Sequence, residues 1–312
     1  MKHDDKKITL IRLGIFLLIA FVPGVFIAEG IRAALGAPMY STPELSAHPL
    51  TTLAGFGMLF PAIANFVARI ITKQGIRDAM LEFNFKGRIR YYVMAFLIPV
   101  AYSTVGTIIT NLCLGVNIFE VMSTEHFFEN LPLSLALPPM IMAQMVLFFG
   151  EEFGWRGYLI PQLEKLMPTP AAVIVGGAVW GVWHAPLTVQ GHNFGVDYPG
   201  FPYLGILFMT LDCIFMGAFL TYITKKTSSV WPAAIAHGIN NGGGVMLLLL
   251  FVSADAEIGA GAVPEADMIS QWLLYLIPVA VLGTVCYILL CRDYIKERKN
   301  KNAAETELPA AA

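Results

Sequence analysis

The chain is poor in charged residues. They make up only 13% of its 312 residues, against roughly 25% in a typical soluble domain, whereas hydrophobic residues make up 56%. The formal net charge is −2, so the sequence offers no excess of positive charge for binding a polyanion. This composition argues against a soluble enzyme, a disordered chain and a nucleic-acid binder. It predicts an all-α, polytopic membrane protein.

Cysteine is also scarce, and the usual sequence motifs of hydrolases are missing. The four cysteines form no CxxC pair, so neither a disulfide framework nor a zinc finger is expected. The sequence contains no Gly-x-Ser-x-Gly nucleophile elbow and no His-Glu-x-x-His zinc motif. If the chain catalyses hydrolysis, its site must be built from other residues.

Long apolar stretches, in contrast, are abundant. A helix needs about 20 mostly apolar residues to cross a membrane. Eight stretches of the sequence meet this condition, at about 8–28, 50–71, 91–112, 137–160, 171–191, 203–223, 230–252 and 270–291. The first has no clear cleavage site after it and is expected to stay in place as an anchor.

The positions of lysine and arginine predict the orientation of these spans. With eight spans, 19 of the 20 basic residues fall on one side of the membrane, and Arg32 is the exception. Because basic loops stay in the cytoplasm, both termini are expected there. We expect a single membrane domain over residues 1–299 and a disordered polar tail over 300–312.

The fourth span contains three ionisable residues that are costly to place in a membrane. Insertion scales assign about 2.5–3.5 kcal/mol to a charged residue near the centre of a helix. Glu152 and Arg156 are four residues apart, so they can meet as an ion pair on one helix face. Glu151 points about 100° away from Glu152, and the pair does not account for it.

Two later spans carry further polar groups. His184 lies in the run Trp180-Gly-Val-Trp-His-Ala-Pro186, whose proline is expected to open the helix near the histidine. His237 and Asn241 are four residues apart and share a helix face, whereas Asn240 is expected to face another way. Each of these groups alone could be structural. Counted from the cytoplasmic ends, however, they and Glu151 lie about 10–20 Å into the membrane, in one layer.

This set of side chains suits the activation of a water molecule. A buried glutamate beside a histidine can accept a proton from water, and an imidazole with an amide can donate hydrogen bonds to an oxyanion. The residues therefore predict a hydrolase without a covalent nucleophile. Asp212, in the middle of the sixth span, either supports this site or caps a pair of helices.

The run Glu151-Glu152-Phe-Gly-Trp-Arg156, followed by Trp180-x-x-x-His184 and His237-x-x-x-Asn241, resembles the CPBP (ABI) family of intramembrane endopeptidases, which is related to the type II CAAX prenyl endopeptidase. The resemblance covers about residues 135–245. It implies an eight-helix fold with a conical cavity open to the cytoplasm.

The resemblance also implies a role for each residue of the motifs. Glu151 and His184 would activate water, His237 and Asn241 would form the oxyanion hole, and Glu152 would orient its neighbours together with Arg156. Trp180 departs from the family, which often has phenylalanine there.

Metal dependence is left open by the sequence. Glu151, His184 and His237 could form a zinc site of the His₂Glu type. Neither histidine has an evident acidic partner in the sequence, which favours a site without metal or cofactor. The expected partner is a peptide or lipidated protein in the plasma membrane. The alternative functions are a proton-coupled transporter, which would use Glu151, His184 and Asp212, and a non-catalytic scaffold or immunity factor.

Overall fold

The computed structural model describes residues 3–113, 115, 118–243, 246–252 and 268–307. The regular structure in these residues is helical, apart from one isolated bridge between Met122 and Val252. The α-helices are α1 His3–Leu35, α2 Pro43–Ser46, α3 Pro49–Ala54, α4 Phe60–Ile71, α5 Ile89–Cys113, α6 Ile118–Val121, α7 Phe127–Ala143, α8 Met145–Gly154, α9 Ile160–Leu163, α10 Thr169–Trp183, α11 Ala185–Thr188, α12 Tyr203–Thr227, α13 Trp231–Gly242, α14 Met246–Leu249 and α15 Met268–Glu307.

Within the described residues, six helical segments are long and apolar enough to cross a membrane, and a seventh is bent. The six are Asp5–Leu35, Pro49–Ile71, Ile89–Cys113, Thr169–Thr188, Tyr203–Thr227 and Trp272–Ala303. The bent one consists of Thr124–Ala143 and Met145–Leu163, which meet at an angle of 51°. These seven segments correspond to seven of the eight predicted spans, so the all-α membrane architecture is confirmed.

The remaining predicted span, 230–252, is not one long helix. Its first part, α13, has 12 residues and is therefore about 18 Å long, which is less than the roughly 30 Å of a membrane core. A short helix, α14, follows after a break. The count of eight spans and the cytoplasmic location of both termini thus stay predictions.

The last helix extends into the segment that was expected to be a disordered tail. Helix α15 continues to Glu307, well past residue 300, while residues 308–312 lie outside the described residues. The sequence signal for the tail was composition alone, and a polar composition is compatible with a solvated helix as well as with a frayed end.

Contacts between distant segments define two ends of the helix bundle. At one end Arg12 Nε donates to Thr72 Oγ1 at 3.0 Å, which joins the start of α1 to the end of α4. The same end holds two ion pairs, Lys225–Glu164 at 2.7 Å and Lys226–Asp293 at 2.6 Å. We call this end, marked by Arg12, Thr72, Glu164, Lys225, Lys226 and Asp293, the basic end.

At the opposite end the loops after α1 and α11 meet. The backbone N–H of Tyr40 donates to Gln190 O at 2.9 Å, and the rings of Tyr40 and His192 are 4.9 Å apart. Nearby, the rings of Phe194 and Trp272 are 4.8 Å apart. We call this end, marked by Tyr40, Gln190, His192, Phe194 and Trp272, the loop end. Trp272 and Asp293 are 21 residues apart on α15, about 32 Å, which is close to the thickness of a membrane core.

Glycines let the helices that carry the sequence motifs pack closely. A Cβ atom on Gly181 would lie 2.4 Å from the Cα of Thr210, so α10 contacts α12 backbone to backbone. A Cβ atom on Gly154 would lie 2.2 Å from the Cβ of Pro61, so the end of α8 contacts the start of α4 in the same way. Side chains of neighbouring helices can therefore interact at short range in the middle of the bundle.

Candidate active site

The side chain of Glu151 is buried and held by two tryptophans. It is 2% exposed, and its Oε2 accepts a hydrogen bond from Trp180 Nε1 at 2.7 Å and another from Trp155 Nε1 at 3.3 Å. Indole N–H groups only donate, so both bonds favour a carboxylate that can accept them. Trp155 begins a π-helical turn, Trp155–Leu159, directly after the motif. Turns of this kind are frequent at functional sites.

Glu152 lies at the centre of a buried ion-pair network. Its Oε1 accepts from Arg156 Nη1 at 3.1 Å, as the four-residue spacing predicted, and from His237 Nδ1 at 2.8 Å. The expectation that neither histidine has an acidic partner was therefore wrong for His237. Glu152 is 85 residues away from it in sequence, so only tertiary packing brings the pair together.

Trp180 connects the elements of the site. Its indole N–H binds Glu151, while the guanidinium carbon of Arg156 lies 4.1 Å from the centre of its ring. The centre of the same ring is 5.4 Å from that of His237 and 6.0 Å from that of His184. Sequence analysis placed Trp180 in the second motif but gave it no role in the site. Its role as a hydrogen-bond donor to the glutamate has no local signal in the sequence.

His184 lies where the helix breaks. Helix α10 ends at Trp183 and α11 begins at Ala185, as expected from Pro186. The Nδ1 of His184 is 3.0 Å from the backbone oxygen of Trp180, and a carbonyl oxygen can only accept, so Nδ1 carries the proton. In the neutral ring Nε2 then has a free lone pair, which is the form that can accept a proton.

A chain of hydrogen bonds orients the amide of Asn241. The hydroxyl of Tyr102, on α5, donates to Asn240 Oδ1, and Asn240 Nδ2 donates to Asn241 Oδ1 at 3.0 Å. Asn240 was expected to face another way. It instead lines the same cavity as Asn241, because its side chain is drawn towards Tyr102. The Nδ2 group of Asn241 is the donor at the end of this series of hydrogen bonds.

Two cavities meet at the site. The larger, of about 320 Å³, is lined by His237 and Asp212, and the smaller, of about 160 Å³, is lined by Glu151. His184, Asn241 and His192 line both cavities. The four residues that were predicted to be catalytic are thus placed around the junction of the two cavities.

His192 and Asp212 are additional polar residues of these cavities. His192 lies in the loop after α11, outside the membrane-spanning helices, and no sequence motif marks it. Burial lowers the pKa of His192 to about 4, so its imidazole is neutral at pH 7. Asp212 lies on α12 and lines the larger cavity, which favours a role at the site over a role as a helix cap.

The donor groups are not arranged as a metal centre. Within the described part of the chain, no three His, Cys, Asp or Glu side chains are close enough together to hold a metal ion. This holds for Glu151, His184 and His237, the set considered for zinc. Glu151 Oε2 already accepts from two indoles. The bond of His237 Nδ1 to Glu152 does not argue against a metal, because a ligating histidine commonly binds a carboxylate through its other ring nitrogen. Metal dependence stays a prediction to be tested, and the steps derived below are those of the chain's own residues.

Comparison with known proteins identifies the segment that carries the motifs. Residues 131–243 match the family described as "Type II CAAX prenyl endopeptidase Rce1-like". The resemblance that the three motifs predicted is confirmed over these residues, which make up about a third of the chain.

Two curated proteins are similar to parts of the chain. The "CAAX prenyl protease 2" of Methanococcus maripaludis is 24% identical over 188 residues, which are 59% of this chain and 64% of that protein. The "Lysostaphin resistance protein A" of Staphylococcus haemolyticus is 26% identical over 148 residues, which are 46% of this chain and 37% of that protein. The chain thus spans less than two thirds of the length of either relative.

Proposed function

We propose that this chain is an intramembrane endopeptidase that hydrolyses a peptide bond with water activated by Glu151 and His184. The observation that carries the proposal is the position of Glu151, whose carboxylate is bound by an indole that also contacts both imidazole rings. A buried carboxylate with a cavity in front of it is suited to accept a proton from water. The match to a peptidase family supports the same chemistry.

The proposed reaction needs no group beyond the chain and water. Glu151, helped by the Nε2 lone pair of His184, takes a proton from water, and the resulting hydroxide adds to the carbonyl carbon of the peptide bond. The carbonyl oxygen becomes an oxyanion. The proton then passes to the leaving nitrogen, the C–N bond breaks, and the products are a carboxylic acid and an amine.

The oxyanion would be stabilised by His237 and Asn241. Because His237 Nδ1 donates to Glu152, the ring can donate through Nε2 only when it carries both protons. The surrounding charges favour this form. Glu151 and Glu152 bring two negative charges and Arg156 one positive charge, so an imidazolium makes the buried set neutral. The outward Nδ2 of Asn241 supplies the second donor.

The substrate in this proposal is a membrane-associated or lipidated protein. It binds in the two cavities. In this proposal the protein crosses the plasma membrane eight times and has both termini in the cytoplasm. Residues 230–252 supply the eighth, interrupted span. Glu151, Glu152 and His237 are 0–3% exposed, and a hydrogen bond to an oxyanion has its greatest effect where water is excluded.

The test compares the cleavage of membrane proteins by the wild-type chain with their cleavage by a variant that lacks the Glu151 carboxylate. Membranes from cells with the wild-type chain and with Glu151→Gln are compared by proteomics, and precursors that accumulate in the variant are tested with purified protein. We expect Glu151→Gln to lower kcat at least about 100-fold. A matched control, Glu164→Gln at the basic end, removes a carboxylate far from the site and should retain activity. Full activity of Glu151→Gln would refute the proposal.

The same assay with a chelator tests whether the peptidase activity depends on a metal ion. Peptidase activity is measured after treatment with a strong chelator and again after zinc is restored. We expect unchanged kcat throughout, since Glu151, His184 and His237 are not arranged as metal ligands. A loss on chelation that zinc reverses would replace the proposed water activation with a metal-dependent one.

A further inference from the structure

One face of α4 runs along the segment that follows the glutamate motif. Pro61, Asn65 and Arg69 are four residues apart, so the helix places them on the same face, and all three are buried. Pro61 lies directly against Gly154, the last residue of α8. The two polar residues of this face therefore lie beside the chain around Gly154, immediately after the glutamates.

Asn65 binds the backbone next to the motif. Its Nδ2 donates to the backbone oxygen of Phe153 at 2.8 Å, and both residues are 0% exposed. Phe153 directly follows Glu152, and the π-helical turn Trp155–Leu159 begins two residues later. A π-helical turn departs from the regular i→i−4 hydrogen bonding of an α-helix, so a donor from another helix stabilises the backbone where the turn begins. The bond joins residues 88 positions apart and fixes this point of the chain relative to α4.

Arg69 sets the orientation of the Asn65 amide. Its Nε donates to Asn65 Oδ1 at 2.6 Å, and a guanidinium group only donates. The amide atom that faces Arg69 must therefore be the oxygen, which leaves Nδ2 for the carbonyl of Phe153. The guanidinium is itself held on two sides, because it pairs with Asp78 and its carbon lies 5.3 Å from the centre of the Tyr158 ring in the π-helical turn.

The π-helical turn carries a partner for each of the two glutamates. Trp155 Nε1 donates to Glu151 Oε2 at 3.3 Å, and Arg156 Nη1 pairs with Glu152 Oε1 at 3.1 Å. Both contacts span the boundary between α8 and the turn. A shift of the turn relative to α8 therefore changes both contacts at once, and with them the directions of the two carboxylates.

We propose that Asn65 and Arg69 are positioning residues, which hold the π-helical turn in place and thereby fix the carboxylates of Glu151 and Glu152. Neither is among the described residues that line the two cavities, so they act through the motif and do not touch the substrate. Both lie outside residues 131–243, which match the peptidase family. The inference rests on the proposed function in one respect, namely that Glu151 activates water.

The kinetic test uses two variants of Asn65 in the purified full-length protein. Asn65→Leu removes both hydrogen bonds of the side chain, whereas Asn65→Asp keeps an oxygen for Arg69 and removes only the donor to Phe153. We expect each to lower kcat roughly 5–10-fold and to leave KM unchanged. The matched control is Asn111→Leu, which removes another buried amide bond, to Thr107 O at 2.8 Å within α5, and should retain the wild-type kcat.

Thermal unfolding in detergent gives a second readout that needs no turnover. Asn65→Leu is combined with Arg156→Met, which removes the guanidinium carried by the π-helical turn. If Asn65 holds this turn, the two changes act on the same contacts, so the double variant should lose less in unfolding temperature than the sum of the single losses. Asn111→Leu combined with Arg156→Met should show the full sum, because Asn111 has no part in holding the turn.

Three results would overturn the proposal: a wild-type kcat in the folded Asn65→Asp protein, a rise in KM alone, or additive losses of unfolding temperature for Asn65→Leu with Arg156→Met. If Asn65→Leu does not fold, Asn65→Asp replaces it in both measurements. Failure of the proposed function would be seen as full activity of Glu151→Gln. The coupling between Asn65 and Arg156 is measured without substrate, so the two failures can be told apart.

Discussion

Trp180 Nε1 lies 2.7 Å from Glu151 Oε2, although the two residues belong to different helices and are 29 positions apart in sequence. The bond fixes one oxygen of the buried carboxylate. The face of the same indole contacts the guanidinium of Arg156, so the ring keeps the glutamate and the arginine at a set distance. Trp180 is thus a positioning residue for Glu151. A variant that lacks the indole N–H tests this role.

Trp180→Phe should lower kcat while keeping the fold. Phenylalanine preserves a ring for Arg156 and the two imidazoles but removes the hydrogen bond to Glu151. A hydrogen bond to a charged group contributes about 1.5–3 kcal/mol, which corresponds to roughly 10–100-fold in rate. We expect a loss at the lower end of this range, because Trp155 still donates.

The measurement is kcat and KM of purified protein in detergent or nanodiscs. The control is Trp231→Phe, which removes an indole bond to Leu81 O at 2.8 Å at the basic end and should leave kcat unchanged. A rise in KM alone for Trp180→Phe would assign the tryptophan to substrate binding and contradict its positioning role.

Tyr102→Phe should reduce kcat through Asn241, without affecting stability strongly. The variant removes the hydroxyl that holds Asn240, so the amide of Asn241 loses its fixed orientation. A neutral hydrogen bond contributes about 1 kcal/mol, so we expect a loss of roughly fivefold.

A double-mutant cycle checks this chain of contacts. Asn240→Ala and Tyr102→Phe act through the same path, so the double variant should be no slower than Asn240→Ala alone. Tyr91→Phe, at a tyrosine outside the cavities, is the control and should behave as wild type. Independent, additive losses in the double variant would contradict the coupling.

Arg156→Met should destabilise the protein more than a typical surface substitution. The change leaves Glu152 buried without its guanidinium partner, and breaking a buried ion pair from one side costs about 3–5 kcal/mol. Glu152→Gln combined with Arg156→Met removes both charges, so the double variant should recover part of this stability. The measurement is thermal unfolding in detergent. Equal unfolding temperatures of the single and double variants would show that the pair is not the cause.

Gly181→Ala should loosen the packing of α10 on α12 and disturb His184, three residues later. The added methyl group would lie 2.4 Å from the Cα of Thr210, so the helices must move apart. Overpacking of this kind costs about 1–3 kcal/mol. Gly14→Ala is the matched control, since nothing lies within 4 Å of the added atom. It should leave the unfolding temperature unchanged or raise it, because alanine favours a helix. Similar unfolding temperatures for both variants would argue against close packing at Gly181.

Local features of the site could be read from the sequence. Glu152 and Arg156 form an ion pair because four residues are one helical turn, and this relation does not depend on the rest of the fold. The break at His184 follows from Pro186 in the same way. The contacts of Trp180 with Glu151, of Asn240 with Tyr102 and of His237 with Glu152 could not be predicted from the sequence, because each joins two different helices.

The sequence by itself determined that the protein is built of apolar helices for a membrane and which polar side chains they must bury, since hydropathy and helical spacing are properties of the chain alone. The tertiary structure decided what those side chains contact: Glu151 meets Trp180, Glu152 meets His237, and Tyr102 reaches Asn240. It also decided that His192, in the loop after α11, lines both cavities. These relations depend on how helices rotate and pack against one another, and packing between distant segments has no periodicity that a sequence can display.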